Sequence, residues 1–337
     1  MELKVRFLVI GLGSMGKRRV RNLQALGFKE IAGFDIRADR LSEALNKYGI
    51  EPFQGFETAL EKFKPDALVI STSPKFHMDY AWAAHEKGLP CFIEASVTDS
   101  DRIIALSRAI KESGVVMAPS CTMRYFPGPK KVKELVAQGA IGKVLNVNYQ
   151  TGQYLPDWHP WEPITEYYVS ENETGAAREI VPFELTWLND VLGEPEALAC
   201  VKAKLTDMDA DIDDIYHCLL RYPQNVLANV TVEVVSRPVA TRELRMLGSE
   251  GELVMSADEN CVRYAKAGEQ EWTRYSLGSG TVETGYINPE EPYIAEMRDF
   301  VAAAKARNQS LFPNSLEEDW GVLQTLYQLE AISESRA

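Results

Sequence analysis

The chain has 337 residues, of which 45% are hydrophobic and 25% charged, and its formal net charge is −13. This length is typical of about two domains, and the composition excludes a disordered, collagen-like or disulfide-framework chain. The acidic excess disfavours nucleic-acid binding, because phosphate recognition draws on a surplus of Lys and Arg.

The cysteines are widely spaced and contain no CxxC pair. They stand at Cys91, Cys121, Cys200, Cys218 and Cys261, beside only four histidines. Neither a disulfide framework nor a zinc site is therefore expected, and the thiols are expected to be buried in a reducing compartment. The sequence shows no signal-peptide pattern and no apolar run of the roughly 20 residues that span a bilayer, so we expect a cytoplasmic protein without membrane contact.

The first third of the chain alternates short apolar runs with longer amphipathic segments, as in β-α-β units. The predicted strands are Lys4–Ile10, Ile31–Asp35, Ala67–Ser71, Cys91–Glu94 and Val115–Ala118. Right-handed crossovers make a doubly wound parallel sheet the simplest topology. We predict that residues 1–122 form this α/β domain.

The pattern changes after about residue 122. A helix over Pro129–Gln138, a long strand over Val144–Gln153 and a helix near Glu179–Leu192 come first. Turn residues then separate further strand-like runs, namely Leu198–Leu205, Ile215–Tyr222, Val226–Val235, Leu244–Leu247 and Glu252–Met255. The tail returns to helix at Ile294–Ala306 and Leu316–Ile332. The pattern over residues 123–337 thus predicts a second, α+β domain with an open, mainly antiparallel sheet. The last helices of the chain are able to pack back on the first domain.

A glycine-rich loop follows the first strand and opens a helix. In the run GLGSMG, Gly11 permits a tight turn, Gly13 lets the backbone approach a pyrophosphate, and Gly16 lets helix and strand pack closely. The helix N-terminus then offers N–H groups to the phosphates. This context favours a dinucleotide site over the alternative, a plain strand-to-helix turn.

An acidic residue stands where the ribose of a dinucleotide binds. Asp35 ends the second predicted strand, so its carboxylate is expected to bind the ribose hydroxyls and to repel a 2′-phosphate. This favours NAD, whereas Arg37 and Arg40 would allow NADP as well. The predicted cofactor site comprises Gly11, Gly13, Ser14, Met15, Gly16, Asp35, Arg37, Arg40, Ser71, Thr72, Pro74, His77 and Glu94.

Four segments in this order resemble one known family. They are Ile70–Glu94, Arg124–Pro127, Ile141–Val144 and Leu247–Gly251, and the resemblance extends over nearly the whole chain. The family is that of glucose–fructose oxidoreductase and inositol dehydrogenase, often called Gfo/Idh/MocA. The resemblance implies an N-terminal Rossmann domain, a C-terminal α/β domain whose open sheet often serves oligomerisation, and NAD(P)-dependent oxidation or reduction of sugars and cyclitols.

The sequence departs from the family at its catalytic motifs. The family's Glu-Lys-Pro motif corresponds to Glu94, Ala95 and Ser96, so the lysine that takes part in proton transfer is absent. A second motif, in which Asp and then His follow a glycine-rich stretch, aligns with Glu179 and Phe183. We interpret Phe183 as a core residue, on an apolar stripe with Ile180, Trp187, Leu188 and Val191. We also expect Pro182 to kink this helix or delay its start.

Other polar residues are candidates for the missing proton transfer. Hydride removal from a carbinol carbon needs a group that takes the hydroxyl proton. His159, in the aromatic segment Tyr154–Trp161, is the leading candidate and Tyr154 the second, although a loop histidine is more often a surface residue. His77 is read as structural or close to the cofactor, and His217 as a strand residue. The candidate catalytic set is Glu94, Tyr154, His159, Arg178 and Glu179, and no metal ligand is predicted.

Two main functions remain open from the sequence, and a third possibility is redox chemistry with a tightly held cofactor that cycles without release. The first is an NAD(P)-dependent oxidoreductase acting on a sugar derivative, in particular a nucleotide-linked or acidic sugar. The second is a regulatory protein that binds dinucleotide and sugar but has lost the chemistry, as the yeast galactose-pathway repressor of the same family has. We also expect a homodimer or homotetramer, because Val230, Val232 and Val234 place an apolar face on an open sheet.

Overall fold

The computed structural model describes residues 5–160 and 162–335. Lys4 of the first predicted strand and Trp161 of the aromatic segment lie outside the described residues. The described chain divides into two compact units. The first unit extends to Thr122 and also includes Glu290–Trp320, and the second comprises Met123–Pro289 and the chain from Gly321 onward.

The first unit contains a six-stranded sheet in the order β3-β2-β1-β4-β5-β6, with every neighbouring pair parallel. Its strands are β1 (Phe7–Ile10), β2 (Ile31–Phe34), β3 (Glu51–Phe53), β4 (Ala67–Ile70), β5 (Cys91–Ile93) and β6 (Met117–Pro119). Its helices are α1 (Ser14–Ala25), α2 (Ala38–Tyr48), α3 (Phe56–Phe63), α4 (His77–Glu86), α5 (Ser100–Ser113) and, from the tail, α8 (Glu291–Ala306). The runs FLVI and ALVI of the central strands are fully buried, as expected for a parallel sheet whose two faces are covered by helices.

The second unit contains an eight-stranded sheet in the order β14-β13-β12-β11-β7-β10-β9-β8. Its strands are β7 (Val144–Gly152), β8 (Glu196–Ala203), β9 (Ile215–Tyr222), β10 (Val226–Glu233), β11 (Thr241–Gly248), β12 (Gly251–Ser256), β13 (Cys261–Lys266) and β14 (Thr273–Ser276). Its helices are α6 (Pro127–Ala137) and α7 (Ala176–Leu192), and α9 (Leu316–Glu334) contributes residues to both units. Only β7 and β10 pair in parallel, so the prediction of a mainly antiparallel sheet is confirmed.

Helix α7 covers one face of the second sheet. The Trp187 ring packs edge-to-face on Tyr149 of β7 with centroids 5.4 Å apart. The Glu184 carboxylate, which is fully buried, accepts hydrogen bonds from Tyr149 Oη at 2.7 Å and Trp187 Nε1 at 2.8 Å, and its other oxygen accepts one from Arg242 at 2.7 Å. A buried carboxylate with this many donors holds the helix to the sheet.

The three valines predicted to form an exposed apolar face are buried within the chain itself. Val230, Val232 and Val234 are at most 1% exposed, because they lie on the face of the sheet that α7 packs against. The argument for oligomerisation from these valines is therefore wrong. The opposite face carries the exposed side chains of this region, among them Leu219 and Leu227.

Helix α7 also differs from the prediction. It begins at Ala176 and continues through Pro182, so its start is not delayed by the proline. Its buried face carries Val181, Leu185 and Leu188, whereas Phe183 is only half-buried. Trp187 and Leu188 of the predicted apolar stripe are buried, whereas Ile180, Phe183 and Val191 are only partly buried. Phe183 therefore lies at the margin of the core rather than within it.

Candidate functional site

The glycine loop lies at the carboxyl edge of the parallel sheet. Gly11 has φ +86°, and a Cβ there would lie 2.7 Å from the Ser71 carbonyl oxygen. A Cβ on Gly16 would lie 1.8 Å from the Gly11 carbonyl oxygen, so the close packing of helix and strand requires glycine. The first backbone bond of α1 runs from Lys17 N to Gly13 O at 3.0 Å, which places the amides of Ser14, Met15 and Gly16 at the helix N-terminus.

Asp35 is buried beside this loop at the end of β2. Its Oδ2 accepts a hydrogen bond from Leu12 N at 2.7 Å, and its Oδ1 accepts one from Arg37 N at 2.8 Å. Each carboxylate oxygen has a second lone pair, so both are still able to accept a ribose hydroxyl. The carboxylate therefore fixes the glycine loop and also suits the ribose role predicted for it.

The two nearby arginines occupy different positions. Arg40 lies 3.8 Å from Asp35 Oδ2, and a Cβ on Gly13 would be 3.4 Å from its Nη1, so its guanidinium lies over the glycine loop. Arg37 instead makes a bidentate pair with Asp39, at 3.1 and 2.6 Å. The hydrogen bond from Arg37 lowers the pKa of Asp39 to about 2. Of the two, Arg40 is the one beside the loop.

The residues after β4 present buried polar atoms at the same edge. Ser71 Oγ and His77 Nδ1 are buried and have no hydrogen-bond partner among the described residues. His77 Nε2 lies 3.0 Å from the Thr72 carbonyl oxygen, which makes Nδ1 the acceptor nitrogen of the neutral ring, and burial lowers the pKa of His77. Pro74 begins the short helical turn that leads into α4. Orphaned polar atoms beside a glycine cradle fit a dinucleotide.

Glu94 follows β5 at this edge, but its oxygens bind an arginine that sequence reasoning missed. Arg19 of α1 is fully buried and donates from Nε to Glu94 Oε1 at 2.6 Å and from Nη2 to Oε2 at 3.1 Å. Glu296 of α8 lies 3.0 Å from Arg19 Nη2. Burial opposes the charge of Arg19, but Glu94 and Glu296 raise its pKa above the ordinary value. From the sequence alone, Arg19 would be taken for a surface cation of α1. Only the tertiary structure shows that it is buried and paired with Glu94.

In the second unit, His159 lies in a cluster with residues that follow it in the loop. His159 Nδ1 is 2.8 Å from Glu162 Oε1, and the imidazole stacks on the Tyr167 ring with centroids 4.6 Å apart and planes 26° apart. Burial and the charges of Glu162 and Glu179 raise the pKa of Tyr167. Glu162 and Tyr167 were not predicted, although the spacing of Glu162 three residues after His159 allows such a pair.

Glu179 joins the same cluster from the start of α7. Its Oε1 accepts a hydrogen bond from Tyr168 Oη at 3.0 Å, and the rings of Tyr167 and Tyr168 meet edge-to-face at 6.2 Å. The structure thus brings His159 and Glu179 together through two tyrosines. Glutamate in the first turn of a helix also complements the positive end of the helix dipole.

Arg178 and Tyr154, the other two candidates of this unit, contact residues outside this cluster. Arg178 binds Glu330 at 2.6 and 3.2 Å and donates to the Glu173 carbonyl oxygen, so its charge is matched by a carboxylate of α9. Tyr154 lies under the guanidinium of Arg237, whose Cζ is 3.3 Å from the ring centroid. Because β7 and β10 are parallel, the loops that carry Tyr154 and Arg237 leave the sheet at the same edge.

Several further findings bear on the predictions. All five cysteines are buried thiols. His217 lies within β9, with Nδ1 3.0 Å from Thr231 Oγ1 across the strand pair. In residues 5–160 and 162–335, no group of three or more His, Cys, Asp or Glu side chains is arranged to hold a metal ion. None of the helices described is long and apolar enough to cross a membrane.

The parallel sheet, the glycine loop and Asp35 define a dinucleotide-binding protein of the Rossmann class. Residues 5–120 match the family model described as the oxidoreductase family with an NAD-binding Rossmann fold. Residues 130–254 match the model of the GFO/IDH/MocA C-terminal domain. The chain belongs to the Gfo/Idh/MocA family, and the predicted fold class and NAD-binding domain are confirmed.

Curated relatives of this chain are named dehydrogenases. The scyllo-inositol 2-dehydrogenase (NAD(+)) of Bacillus subtilis is 31% identical over 149 residues, which cover 43% of this chain and 44% of the relative. The match thus spans less than half of that relative's length. The D-xylose 1-dehydrogenase (NADP(+)) 2 of Haloferax volcanii is 25% identical over 98% of this chain and 96% of its own length.

Solved structures share the whole fold at low sequence identity. An oxidoreductase from Agrobacterium radiobacter, in complex with NAD+, L-tartaric acid and magnesium, has a TM-score of 0.86 at 14% identity and covers 99% of this chain and 98% of its own. A levoglucosan dehydrogenase, in complex with NADH and levoglucosan, has a TM-score of 0.83 at 18% identity with the same coverage.

Proposed function

We propose that the protein is an NAD(P)-dependent oxidoreductase that transfers hydride to or from the CH–OH carbon of a sugar derivative. Bound NAD(P) supplies the hydride acceptor or donor. The glycine loop and Asp35 hold the pyrophosphate and ribose, and Asp35 favours NAD over NADP. The names of the relatives support this reaction class.

The observation that carries the proposal is the cluster around His159. By resemblance to the family's motifs, Ala95 stands at the position of the family lysine and Phe183 at that of the family histidine, and neither side chain transfers protons. His159 is a group whose ordinary pKa lies near neutrality, and it is held against a carboxylate at 2.8 Å. We propose that His159 accepts the proton of the substrate hydroxyl and that Glu179 and Tyr168 bind a neighbouring hydroxyl.

The substrate that we propose carries an anionic group, as a nucleotide-linked or acidic sugar does. Arg237 supports this assignment, because it stacks on Tyr154 and makes no ion pair with the described residues. Arg178 is less suited to the anion, since Glu330 already matches its charge. The Tyr154 ring suits the apolar face of a pyranose.

We also propose that the protein forms a homodimer or homotetramer, through exposed apolar side chains of the second sheet rather than through the buried valines. Val201, Leu219 and Leu227 are 59%, 40% and 39% exposed on the face of the second sheet that α7 does not cover. A symmetric partner is the usual cover for such a face.

A second candidate function, a diverged protein that binds dinucleotide and sugar without turnover, is favoured by one observation. Both oxygens of Glu94 are engaged by Arg19, and the next residue is Ala95 where the family has lysine. Ala95→Lys separates the two candidates, because it should raise a weak activity but do nothing in a protein whose sugar site has diverged.

The assignment of His159 is tested by turnover and cofactor binding measured on the same variants. His159→Ala should lower kcat by at least about 100-fold, the contribution of a positioned acid–base group. Glu179→Gln, which removes a charged acceptor of the neighbouring hydroxyl, should lower kcat/KM by at least about tenfold. The Kd for NADH should stay within twofold in both variants. His85→Ala and Glu171→Gln, which change the same residue types outside the cluster, should leave these quantities unchanged. Wild-type rates in both cluster variants would contradict the assignment.

A further inference from the structure

This inference deepens the proposed function and rests on it for its chemistry. We propose that Glu162 is a positioning residue that holds His159 with the proton on Nδ1, and that the Tyr167 ring fixes the plane of the imidazole. Neither residue lies in the two segments that resemble the family's catalytic motifs, at Glu94–Ser96 and at Glu179–Phe183.

The local backbone brings the pair together. Glu162 N donates to the His159 carbonyl oxygen at 3.1 Å, so the backbone groups of these two residues lie close together. The two side chains also meet, with His159 Nδ1 2.8 Å from Glu162 Oε1. Their side chains are 19% and 18% exposed, so the pair is shielded from water more than a surface ion pair is.

The stack with Tyr167 supplies the second constraint. Its ring lies nearly parallel to the imidazole, with centroids 4.6 Å apart, so rotation of His159 about χ2 would break the contact. A hydrogen bond at Nδ1 and a ring against one face together determine the direction of Nε2. This is the arrangement that a base needs to meet a substrate hydroxyl repeatedly in one geometry.

Among the contacts that the structure describes, Glu162 and Tyr167 are the charged and titratable groups that meet His159, and Tyr167 in turn lies near Glu179 and Tyr168. Burial and the two carboxylates raise the pKa of Tyr167 above the ordinary value, at which a phenol is already neutral at physiological pH. Within this cluster, His159 is thus the side chain whose ordinary pKa lies closest to neutrality.

The chemistry follows from the tautomer. When Nδ1 donates to Glu162, Nε2 is the basic nitrogen of the neutral ring. In the oxidative direction, the substrate O–H bond breaks and an N–H bond forms at Nε2, while the hydride leaves the same carbon for the oxidised dinucleotide and a C=O bond forms. The Glu162 carboxylate stabilises the resulting imidazolium. In the reductive direction, the same proton returns to the alkoxide oxygen.

The first test is an NMR titration of the histidine ring protons, with the His159 signal assigned from its loss in His159→Ala. Glu162→Gln keeps a hydrogen-bond acceptor but removes the charge, so it should lower the pKa of His159 by about one unit or more. Glu162→Asp should restore part of the shift. Glu166→Gln, an exposed carboxylate in the same loop, is the matched control and should change the pKa little. An unchanged pKa in Glu162→Gln, or an equal shift in the control, overturns the proposal.

The second test is the pH profile of turnover for a substrate found in a sugar panel. In oxidation, the rising limb of kcat should move to lower pH in Glu162→Gln, and the plateau rate should fall by at least about tenfold, because the base is weaker and less well oriented. Tyr167→Phe keeps the stacked ring and should stay within about threefold of wild type, whereas Tyr167→Leu should lose at least about tenfold. Equal rates in the two Tyr167 variants would contradict the role of the ring.

The two tests separate this inference from the proposed function. If no panel member is turned over while the His159 pKa falls in Glu162→Gln, the proposed function fails and the positioning role stands. If turnover depends on His159 but neither the pKa nor the pH profile responds to Glu162, the positioning role fails alone. NADH binding and the thermal midpoint of each variant report whether it is folded.

Discussion

At the residue scale, one carboxylate combines a structural and a binding role. Asp35 accepts backbone hydrogen bonds from both sides, from Leu12 in the glycine loop and from Arg37 after β2. The sequence predicted the ribose role from the position of Asp35 at the end of the second predicted strand. The hydrogen bond from Leu12 N could not be predicted, because it depends on the parallel pairing of β1 with β2 in the sheet.

Asp35→Ala should weaken NADH binding by about tenfold to a hundredfold, since it removes a charged acceptor of the ribose. NADPH binding should weaken less or improve, because a negative charge beside the 2′-phosphate is removed and Arg40 remains. Fluorescence titration with NADH and NADPH measures both affinities. Asp66→Asn, which removes an exposed carboxylate paired with Arg6 before β4, should leave the preference between the cofactors unchanged. An unaltered preference in Asp35→Ala would contradict the role of Asp35.

At the scale of elements, a buried ion network joins α1, the end of β5 and α8. Glu296 accepts hydrogen bonds from Ser120 Oγ at 3.0 Å, Cys121 N at 2.6 Å and Thr122 Oγ1 at 2.6 Å, besides its ion pair with Arg19. Burial raises the pKa of Glu296, which Arg19 partly offsets. The network ties a tail helix into the first unit.

Arg19→Met should lower the free energy of unfolding by about 3 kcal/mol or more, because it leaves Glu94 and Glu296 as buried carboxylates without their cation. Adding Glu94→Gln and Glu296→Gln to Arg19→Met should recover part of this loss. Arg102→Met, which removes a half-exposed pair with Asp79, should cost less than about 1 kcal/mol. Urea unfolding measures all of these variants, and equal losses for Arg19 and Arg102 would show that the buried network does not stabilise the unit.

The strands show which secondary-structure elements sequence patterns can predict and which they miss. The apolar runs of β1 and β4 are read correctly because both faces of a parallel strand are buried. Strand β3 was missed, since Glu51 and Pro52 do not read as strand, and it forms an edge where Pro is tolerated. Strands β13 and β14 were also missed. The valines of β10 alternate as expected, but only the structure shows that α7 lies against them.

At the scale of the whole molecule, the proposed self-association depends on the face of the second sheet away from α7. Leu219 and Leu227 lie on adjacent strands β9 and β10 of that face. The alternation in β10 was predicted, but the exposed face was assigned to the wrong side chains, because a period of two does not say which face a helix will cover.

Sedimentation should show a dimer or tetramer of the wild-type chain at micromolar concentration. Leu219→Lys combined with Leu227→Lys should shift it to the monomer, because two charges would be buried in the interface. Leu311→Lys, which changes an exposed leucine of the first unit, should leave the assembly intact. A monomeric wild-type protein would contradict the proposal.

The candidate site was predictable in part at this scale. His159 and Glu179 were singled out from chemistry and position, and the structure joins them through Tyr167 and Tyr168. Glu162 was not singled out, since a carboxylate near a histidine in a loop is common. Arg178 was placed by sequence at a helix start, but its partner Glu330 is 152 residues away along the chain.

The central claim is that this chain is an enzyme whose proton transfer has moved to His159. The most direct measurement follows the nicotinamide absorbance after wild-type protein with NAD+ is mixed with neutral sugars, cyclitols, uronates and nucleotide sugars, and His159→Ala is run beside it. We predict reduction of NAD+ with at least one anionic sugar, and its loss in the variant. Tight NADH binding without turnover of any substrate, in either direction, would contradict the claim and favour the binding protein.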